Sequence, residues 1–518
     1  MEEAKKKKIR IGTRKSQLAM VQTEIVADRI RNAFKEIQIE IVPISTKGDE
    51  NLHRSLASFG GKGVFTRELE EAMREGRIDL AVHSAKDLPM DLPKGLCIGA
   101  ALGRGDVRDV LVTVTGTEVK KLEPGSVIGT SSLRRELQIM KINPYVKVRM
   151  LRGNVQTRLN RLKAGDYDGI ILAAAGLERL GCLKEEGLHY EYLDTSCFLP
   201  AAGQGILAVE ARENEWREVL EQINSKEAYC MLEAERSFLR KIGGGCNAPA
   251  AAYSRIEDGR IIMDAMYAKD GKNIRYFSET ADIEDNIRLA ERIAQELNKG
   301  KVYLVGAGPG DSDLITRKGL ECIKKADVIV YDSLAADSLL NEGRDDAELI
   351  YAGKRASNHH MPQEEMNLLL IEKAMEGKEV VRLKGGDPFI FGRGSEEARA
   401  LRAEGIEFEI IPGISSSHSV PAYAGIPVTH RGIASSFHVI TGHESEGKKE
   451  SALNYSILAK EEGTLVFMMG LKHLPGIVRQ LIENGKPEDT PAAVIQEGTT
   501  ARQKKASGTC LLYTSRCV

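Results

Sequence analysis

The residues best suited to chemistry in the first half of this sequence are an acid among bases and a cysteine among glycines. Asp87 closes the run Val82-His83-Ser84-Ala85-Lys86-Asp87. Three more runs mix small hydroxylated residues or Gly with Arg or Lys: Thr13-Arg14-Lys15-Ser16, Gly129-Thr130-Ser131-Ser132-Leu133-Arg134-Arg135, and Leu151-Arg152-Gly153-Asn154-Val155-Gln156-Thr157-Arg158. Each follows a short apolar run and stands where a helix would begin. Free backbone N–H groups, the positive helix end and a bidentate guanidinium make such a place an anion site. A single run of this kind is as well explained by Arg pairing with surface carboxylates. Four of them, with Arg134 and Arg135 adjacent, point to a polyanionic substrate, and carboxylates or phosphates both fit. Asp87 in that setting suits an acid that pairs with a cationic intermediate or shuttles a proton. The alternative is an ion pair with Lys86 or Arg14 that only holds the fold. Gly243-Gly244-Gly245-Cys246 presents a thiol on a loop with no side chains to bury it, as a nucleophile or an attachment point. Cys97 and Cys182 better suit buried structural roles.

The second half carries its chemistry on Gly-rich turns. Val302 to Val305 leads into Gly306-Ala307-Gly308-Pro309-Gly310-Asp311, Val380 to Leu383 into Lys384-Gly385-Gly386-Asp387-Pro388, and Phe408 to Ile411 into Pro412-Gly413-Ile414-Ser415-Ser416. A dinucleotide loop is the rival reading of the first, but the pattern is not G-x-G-x-x-G and Pro309 lacks an N–H for a pyrophosphate. Each turn alone is no more than a tight turn. Three at strand ends suggest an extended ligand between two subdomains.

The elements that must position these residues alternate between strand and helix. Apolar runs at Ile39 to Ile44, Ile78 to Val82, Val127 to Ile128, Val148 to Leu151 and Ile170 to Ala173 are separated by helical patterns such as Phe65 to Arg74. That alternation predicts an α/β architecture with largely parallel sheets, in which ligands bind beyond the carboxyl ends of the strands. A polar helix over Asn286 to Leu297 and a fresh strand from Val302 set a domain boundary near 296–301.

The chain has 518 residues, 42% hydrophobic and 29% charged, with a net charge of −2. The balance lacks a general basic footprint for nucleic acid. No apolar run approaches the ~20 residues of a membrane span, and Met1 to Lys8 lacks the apolar segment of a signal peptide, so the expectation is a cytoplasmic enzyme that binds neither membrane nor nucleic acid. The eight cysteines form no C-x-x-C pair, and no metal site is expected.

In order and spacing, His83 to Asp87, Gly129 to Arg135, Leu151 to Arg158, Leu199-Pro200-Ala201-Ala202-Gly203-Gln204-Gly205 and Gly243 to Cys246 resemble the porphobilinogen deaminases (hydroxymethylbilane synthases), over roughly residues 8 to 298. The resemblance implies two periplasmic-binding-like α/β domains, 1–101 (with 200–222 returning) and 102–199, and a small α+β domain, 223–298, bearing the cofactor cysteine. It implies a dipyrromethane cofactor on Cys246, contacted by Ser84, Lys86, Thr130, Ser132, Arg134 and Arg135. Four porphobilinogen units would be added in turn, each losing ammonia, before hydrolysis releases hydroxymethylbilane. Asp87 would stabilise the azafulvenium cation. Arg14, Ser16, Phe65, Arg152, Arg158 and Arg179 would bind substrate. Gln156 stands where Gly is expected, which removes no charged contact.

The turns of the second half, with Tyr331-Asp332, Gly353-Lys354-Arg355, Tyr423 to Arg431 and Thr441-Gly442-His443, resemble uroporphyrinogen III C-methyltransferase, a tetrapyrrole methylase, over roughly 300 to 508. This implies two α/β subdomains, 300–412 and 413–508, with S-adenosylmethionine held by Pro309, Gly385, Gly386, Asp387, Ile390, Ser415, Ser416, Met469 and Gly498. Ser415 stands where Thr is commoner and keeps the hydroxyl. Asp332 and Lys354 would be proton acceptor and donor in two methyl transfers giving precorrin-2.

Residues 509–518 read as a non-native tail replacing a further strand. The second subdomain is therefore expected to be incomplete, and the alternative is that only the deaminase half is active. The first product is linear and the second substrate cyclic, so a separate uroporphyrinogen III synthase is expected, as is a homodimer through the methylase half. Two rivals remain: an anion-binding module without catalysis, and a nucleotide-dependent oxidoreductase using the 306–310 loop.

Overall fold

Ile9 and Ile11 are fully buried while Lys8 is exposed and Arg10 half-buried, an alternation that makes Lys8–Arg14 a strand with one face on a core. The computed structural model describes residues 8–46, 66–244, 248–334, 337–353, 361–442 and 453–511. The chain divides into two units, 1–298 and 299–518.

Among the described residues, the first unit holds three sheets. The first runs Gln38–Ile44, Lys8–Arg14, Leu80–Ser84, Leu207–Arg212, Leu96–Ala101. Its first three strands are parallel, and Leu207–Arg212 is antiparallel to both neighbours. The chain therefore leaves this layer after Ala101 and returns to it later. The second sheet runs Lys147–Arg149, Val127–Gly129, Gly169–Ala173, Asp109–Thr113, His189–Leu193, again with one strand, Asp109–Thr113, antiparallel to both neighbours. The third is an antiparallel meander, Ala250–Glu257, Arg260–Tyr267, Arg275–Asp282. Helices Lys226–Lys241 and Asn286–Asn298 bury Phe238, Leu289 and Ile293 in its core.

Helix Arg67–Arg74 lies within the stretch expected from Leu69, Ala72 and Met73, all fully buried, while Phe65 lies outside the described residues.

The second unit opens with an all-parallel sheet, Glu348–Tyr351, Val328–Tyr331, Val380–Lys384, Val302–Gly306, Phe408–Ile411. All five residues of Val380–Lys384 are buried, as expected of a central strand covered on both faces. Two of the five are Arg382 and Lys384, which need charged partners to be tolerated there. A second layer pairs Phe437–Thr441 with Thr464–Met468 in parallel and Pro491–Gln496 with Lys504–Thr509 antiparallel. The pairing extends through Thr509, and Cys510 is buried beside Val478, so the first residues of the stretch expected as a tail are ordered into the sheet. Residues 512–518 lie outside the described residues. No helix among the described residues is long and apolar enough to cross a membrane.

Candidate active sites

In the first unit, the residues carrying charge sit at the ends of strands in the two α/β layers. Strand Leu80–Ser84 ends in a single 3-10 turn, Ala85–Asp87, pinned where the Ala85 N–H donates to Ile206 O at 3.0 Å. The turn leaves Asp87 exposed and Lys86 half-buried. Lys86 Nζ donates to Gln204 Oε1 at 3.2 Å, and Gln204 Nε2 donates to Val107 O at 2.7 Å and to Asp109 Oδ1 at 3.1 Å. Asp109 is fully buried and pairs with Arg134 at 2.8 Å and Arg135 at 2.6 Å. Both arginines stand in the first turn of helix Leu133–Ile142 and are buried. They also donate to Leu199 O at 2.6 Å and Ile171 O at 2.9 Å respectively.

Burial alone would raise the Asp109 carboxyl, but Arg134, Arg135 and Lys86 outweigh it and hold the group far below the usual carboxylate range. Burial and the charge of Arg135 push Lys86 down to about 8. The same two causes push Arg158 down to about 10, and Asp87 opposes the shift at both groups. Asp87 thus acts on cations from both α/β layers. Among the described residues, Asp109 is the single buried carboxylate against Arg134, Arg135 and Lys86, so this cluster carries positive charge in excess. Arg135 Nε is buried with no partner among the described residues. A ligand bearing several carboxylates fits this excess and this orphaned donor.

In the second unit, the three turns converge at backbone distance. A Cβ on Gly306 would lie 2.5 Å from Gly413 Cα, and one on Gly413 would lie 2.2 Å from Gly386 O. Gly308 and Gly386 exchange backbone hydrogen bonds at 3.2 and 2.7 Å. Asp387 locks the junction, accepting from Gly413 N at 3.0 Å and Phe389 N at 2.8 Å. The bare face of Gly386, at φ +68°, meets nothing within 4 Å. A cofactor laid against backbone fits that open, side-chain-free face. Asp332, just past strand Val328–Tyr331, accepts from Arg382 Nη2 at 3.0 Å and from Leu334 N at 3.0 Å.

Comparison with known proteins agrees with both geometries. The family model described as porphobilinogen deaminase, dipyromethane cofactor binding domain, matches residues 9–219, and that of the deaminase C-terminal domain matches 229–299. The family model of tetrapyrrole (corrin/porphyrin) methylases matches 301–510. A porphobilinogen deaminase of Exiguobacterium sibiricum is 43% identical over 295 residues, 56% of this chain and 94% of that protein. A uroporphyrinogen-III C-methyltransferase of Methanocaldococcus jannaschii is 56% identical over 211 residues, 40% of this chain and 86% of that protein. An S-adenosyl-L-methionine-dependent uroporphyrinogen III methyltransferase of Methanosarcina barkeri is 54% identical over 212 residues, 41% of this chain and 83% of that protein. The chain belongs to the porphobilinogen deaminases in its first unit and to the tetrapyrrole methylases in its second.

Several expected ligand groups of the deaminase unit also have local structural work. Ser16 caps helix Gln17–Ala33, accepting from Ala19 N at 3.3 Å. Ser84 and Gln22 bond through their side chains at 2.9 Å. Thr130 is buried and accepts from Ser132 N at 3.2 Å, while Ser132 occupies a cap position without a side-chain cap bond. Arg158 Nε donates to Gly153 O at 2.8 Å and Arg179 Nη2 to Gly205 O at 2.6 Å, with burial pushing Arg179 down. Arg14 ends its strand half-buried, and Arg152 is half-buried beside Arg158. Cys246 lies outside the described residues, two beyond Gly244.

In the methylase unit, Ser415 is buried and caps helix Ser416–Tyr423, and Ser416 Oγ approaches Met468 Sδ at 3.9 Å. Pro309 is half-buried in the first turn, and Ile390 is exposed next to the second. Met469 is exposed at φ +58°, and a Cβ on Gly498 would strike Val420 at 2.3 Å. Lys354 lies outside the described residues.

Sequence reasoning assigned no role to Asp109, Gln204, Arg382, Lys384 or Glu397. A signal existed for Asp109, Arg382 and Lys384, since Asp109 opens one mainly apolar strand and Arg382 and Lys384 interrupt and close another.

Proposed function

We propose that this chain is a bifunctional tetrapyrrole enzyme. Its first unit condenses four porphobilinogen molecules, each losing ammonia, into hydroxymethylbilane. Its second transfers two methyl groups from S-adenosylmethionine to uroporphyrinogen III, giving precorrin-2. The observation that carries the first activity is the excess of buried cations over Asp109, with Asp87 acting on both Lys86 and Arg158.

In the deaminase unit, the dipyrromethane group on Cys246 supplies the chain end to be extended. Lys86, Arg134, Arg135 and Arg158 neutralise acetate and propionate groups, with Arg14, Arg152 and Arg179 extending the same field along the growing chain. Ser16 fixes the helix start that follows Arg14, Ser84, Thr130 and Ser132 add hydrogen bonds to the bound chain, and Phe65 is assigned to substrate binding. Asp87 is exposed, unlike Asp109, so it is the carboxylate that a substrate reaches. It pairs with the cation left when ammonia departs and takes up the proton released as each C–C bond forms.

In the methylase unit, S-adenosylmethionine supplies an electrophilic methyl group. The turns at Pro309, Gly385 to Asp387, Ile390, Ser415, Ser416, Met469 and Gly498 hold it, and Asp332 accepts the proton that leaves the macrocycle while Lys354 donates. The linear product of the first unit must be cyclised before the second can use it, which calls for a separate uroporphyrinogen III synthase. A homodimer through the methylase unit and a cytoplasmic setting complete this reading.

Intact mass is the test. The purified chain should carry the mass of two linked pyrroles, and Cys246→Ser should abolish it. An unmodified chain that gains nothing on incubation with porphobilinogen would overturn the deaminase assignment.

A further inference from the structure

Beneath the methylase site lies a buried trio of charges, Arg382, Lys384 and Glu397, that no step above uses. Strand Val380–Lys384 runs beside Val328–Tyr331, with Arg382 opposite Val330. Arg382 and Lys384 are 6% and 4% exposed, and both turn to Glu397 on helix Gly394–Ala403. Arg382 Nε donates to Glu397 Oε1 at 3.3 Å and Lys384 Nζ donates to the same oxygen at 2.7 Å. Glu397 is 1% exposed, and its Oε2 is buried with no partner among the described residues. The other end of the Arg382 guanidinium reaches Asp332 Oδ2 at 3.0 Å, and its Nη1 is pinned on Leu383 O at 2.9 Å. The order is Lys384, Glu397, Arg382, Asp332, with alternating charge, running from the strand before the Gly385–Gly386 turn to the edge of the cleft.

A guanidinium is a rigid planar fork, so fixing one end aims the other. Glu397 fixes the Nε end, which sets where Nη2 points and therefore where the Asp332 carboxylate is held. Glu397 is also the buried counter-charge to two cations. Without it, Arg382 and Lys384 repel each other and both lean on Asp332, drawing its carboxylate inward from the cleft. We propose that Glu397 is a positioning residue for methyl transfer, acting through Arg382 on Asp332. This rests on Asp332 being the proton acceptor.

The test is a double-mutant cycle on the full 518-residue chain, with uroporphyrinogen III and S-adenosylmethionine in single-turnover methyl transfer. Glu397→Gln keeps shape and one acceptor oxygen but removes the charge. It should lower the methyl-transfer rate about tenfold and leave S-adenosylmethionine affinity, measured by calorimetry, within about twofold. Combined with Asp332→Asn, it should cost nothing further. Glu397→Asp should restore part of the rate.

Equal losses from Glu397→Gln in both backgrounds, or a loss confined to S-adenosylmethionine affinity, would overturn the proposal while leaving Asp332 in place. Full activity of Asp332→Asn alone would instead overturn the reading of Asp332. If Glu397→Gln does not fold by circular dichroism, Glu397→Asp is carried through the same cycle, and failure of both to fold makes Glu397 structural only, which also overturns the proposal.

Discussion

Changing Asp109 to Asn tests the electrostatic core of the deaminase unit most directly. The carboxylate is fully buried, pairs with Arg134 at 2.8 Å and Arg135 at 2.6 Å, and accepts from Gln204 at 3.1 Å. The amide keeps one acceptor oxygen but turns an NH2 toward a guanidinium that is itself only a donor. Two buried cations then lose their counter-charge. Removing one partner from a buried ion pair costs about 3–5 kcal/mol. For a body of this size, about 2 °C is lost per kcal/mol, so the melting temperature should fall by about 6–10 °C. Differential scanning calorimetry of the whole chain reads this, and the change should fall on the deaminase transition, since Asp109 lies in the unit 1–298. Porphobilinogen turnover should fall with it, because Arg134 and Arg135 lose the anchor that aims them. A variant melting within about 2 °C of the parent would refute the claim that Asp109 is the counter-charge on which the cluster depends.

Two further outcomes follow from the same geometry. Lys86, pushed down to about 8 by burial and Arg135, is cationic below that pH and neutral above it. A bound anion favours the cationic form, so the KM for porphobilinogen should be flat below about pH 8 and rise above it. Lys86→Met should remove the break, and an unchanged break would assign it to another group. Gly413→Ala places a Cβ 2.2 Å from Gly386 O and should cost both stability and S-adenosylmethionine affinity. Gly386→Ala meets nothing within 4 Å, so at φ +68° it should cost only about 1 kcal/mol of strain while still blocking the cofactor. Calorimetric binding and melting of the two variants separate these cases.

Much of the fold was legible because it is local. Runs such as Ile39 to Ile44 and Ile170 to Ala173 became parts of strands Gln38–Ile44 and Gly169–Ala173, since such runs are rich in β-branched residues and too short for a helix. The helix expected over Asn286 to Leu297 spans Asn286–Asn298, with Leu289, Ile293 and Leu297 buried at helical spacing. For the candidate site, the sequence offered residue types but not their division of labour. Ser16 and Ser415 read as ligand groups, yet their hydroxyls cap helices, because an N-terminal N–H is left unsatisfied whether or not a ligand comes.

By itself, the sequence determined which residues stand at strand ends, where glycine lets backbones meet, and where one unit gives way to the next. Only the tertiary structure decided which charges meet. Gln204 reaches Lys86 across 118 positions and Asp109 across 95, and Glu397 meets Arg382 from another element. Spacing cannot announce such pairs, because a buried charge selects its partner by distance in a medium without water, after the elements have packed.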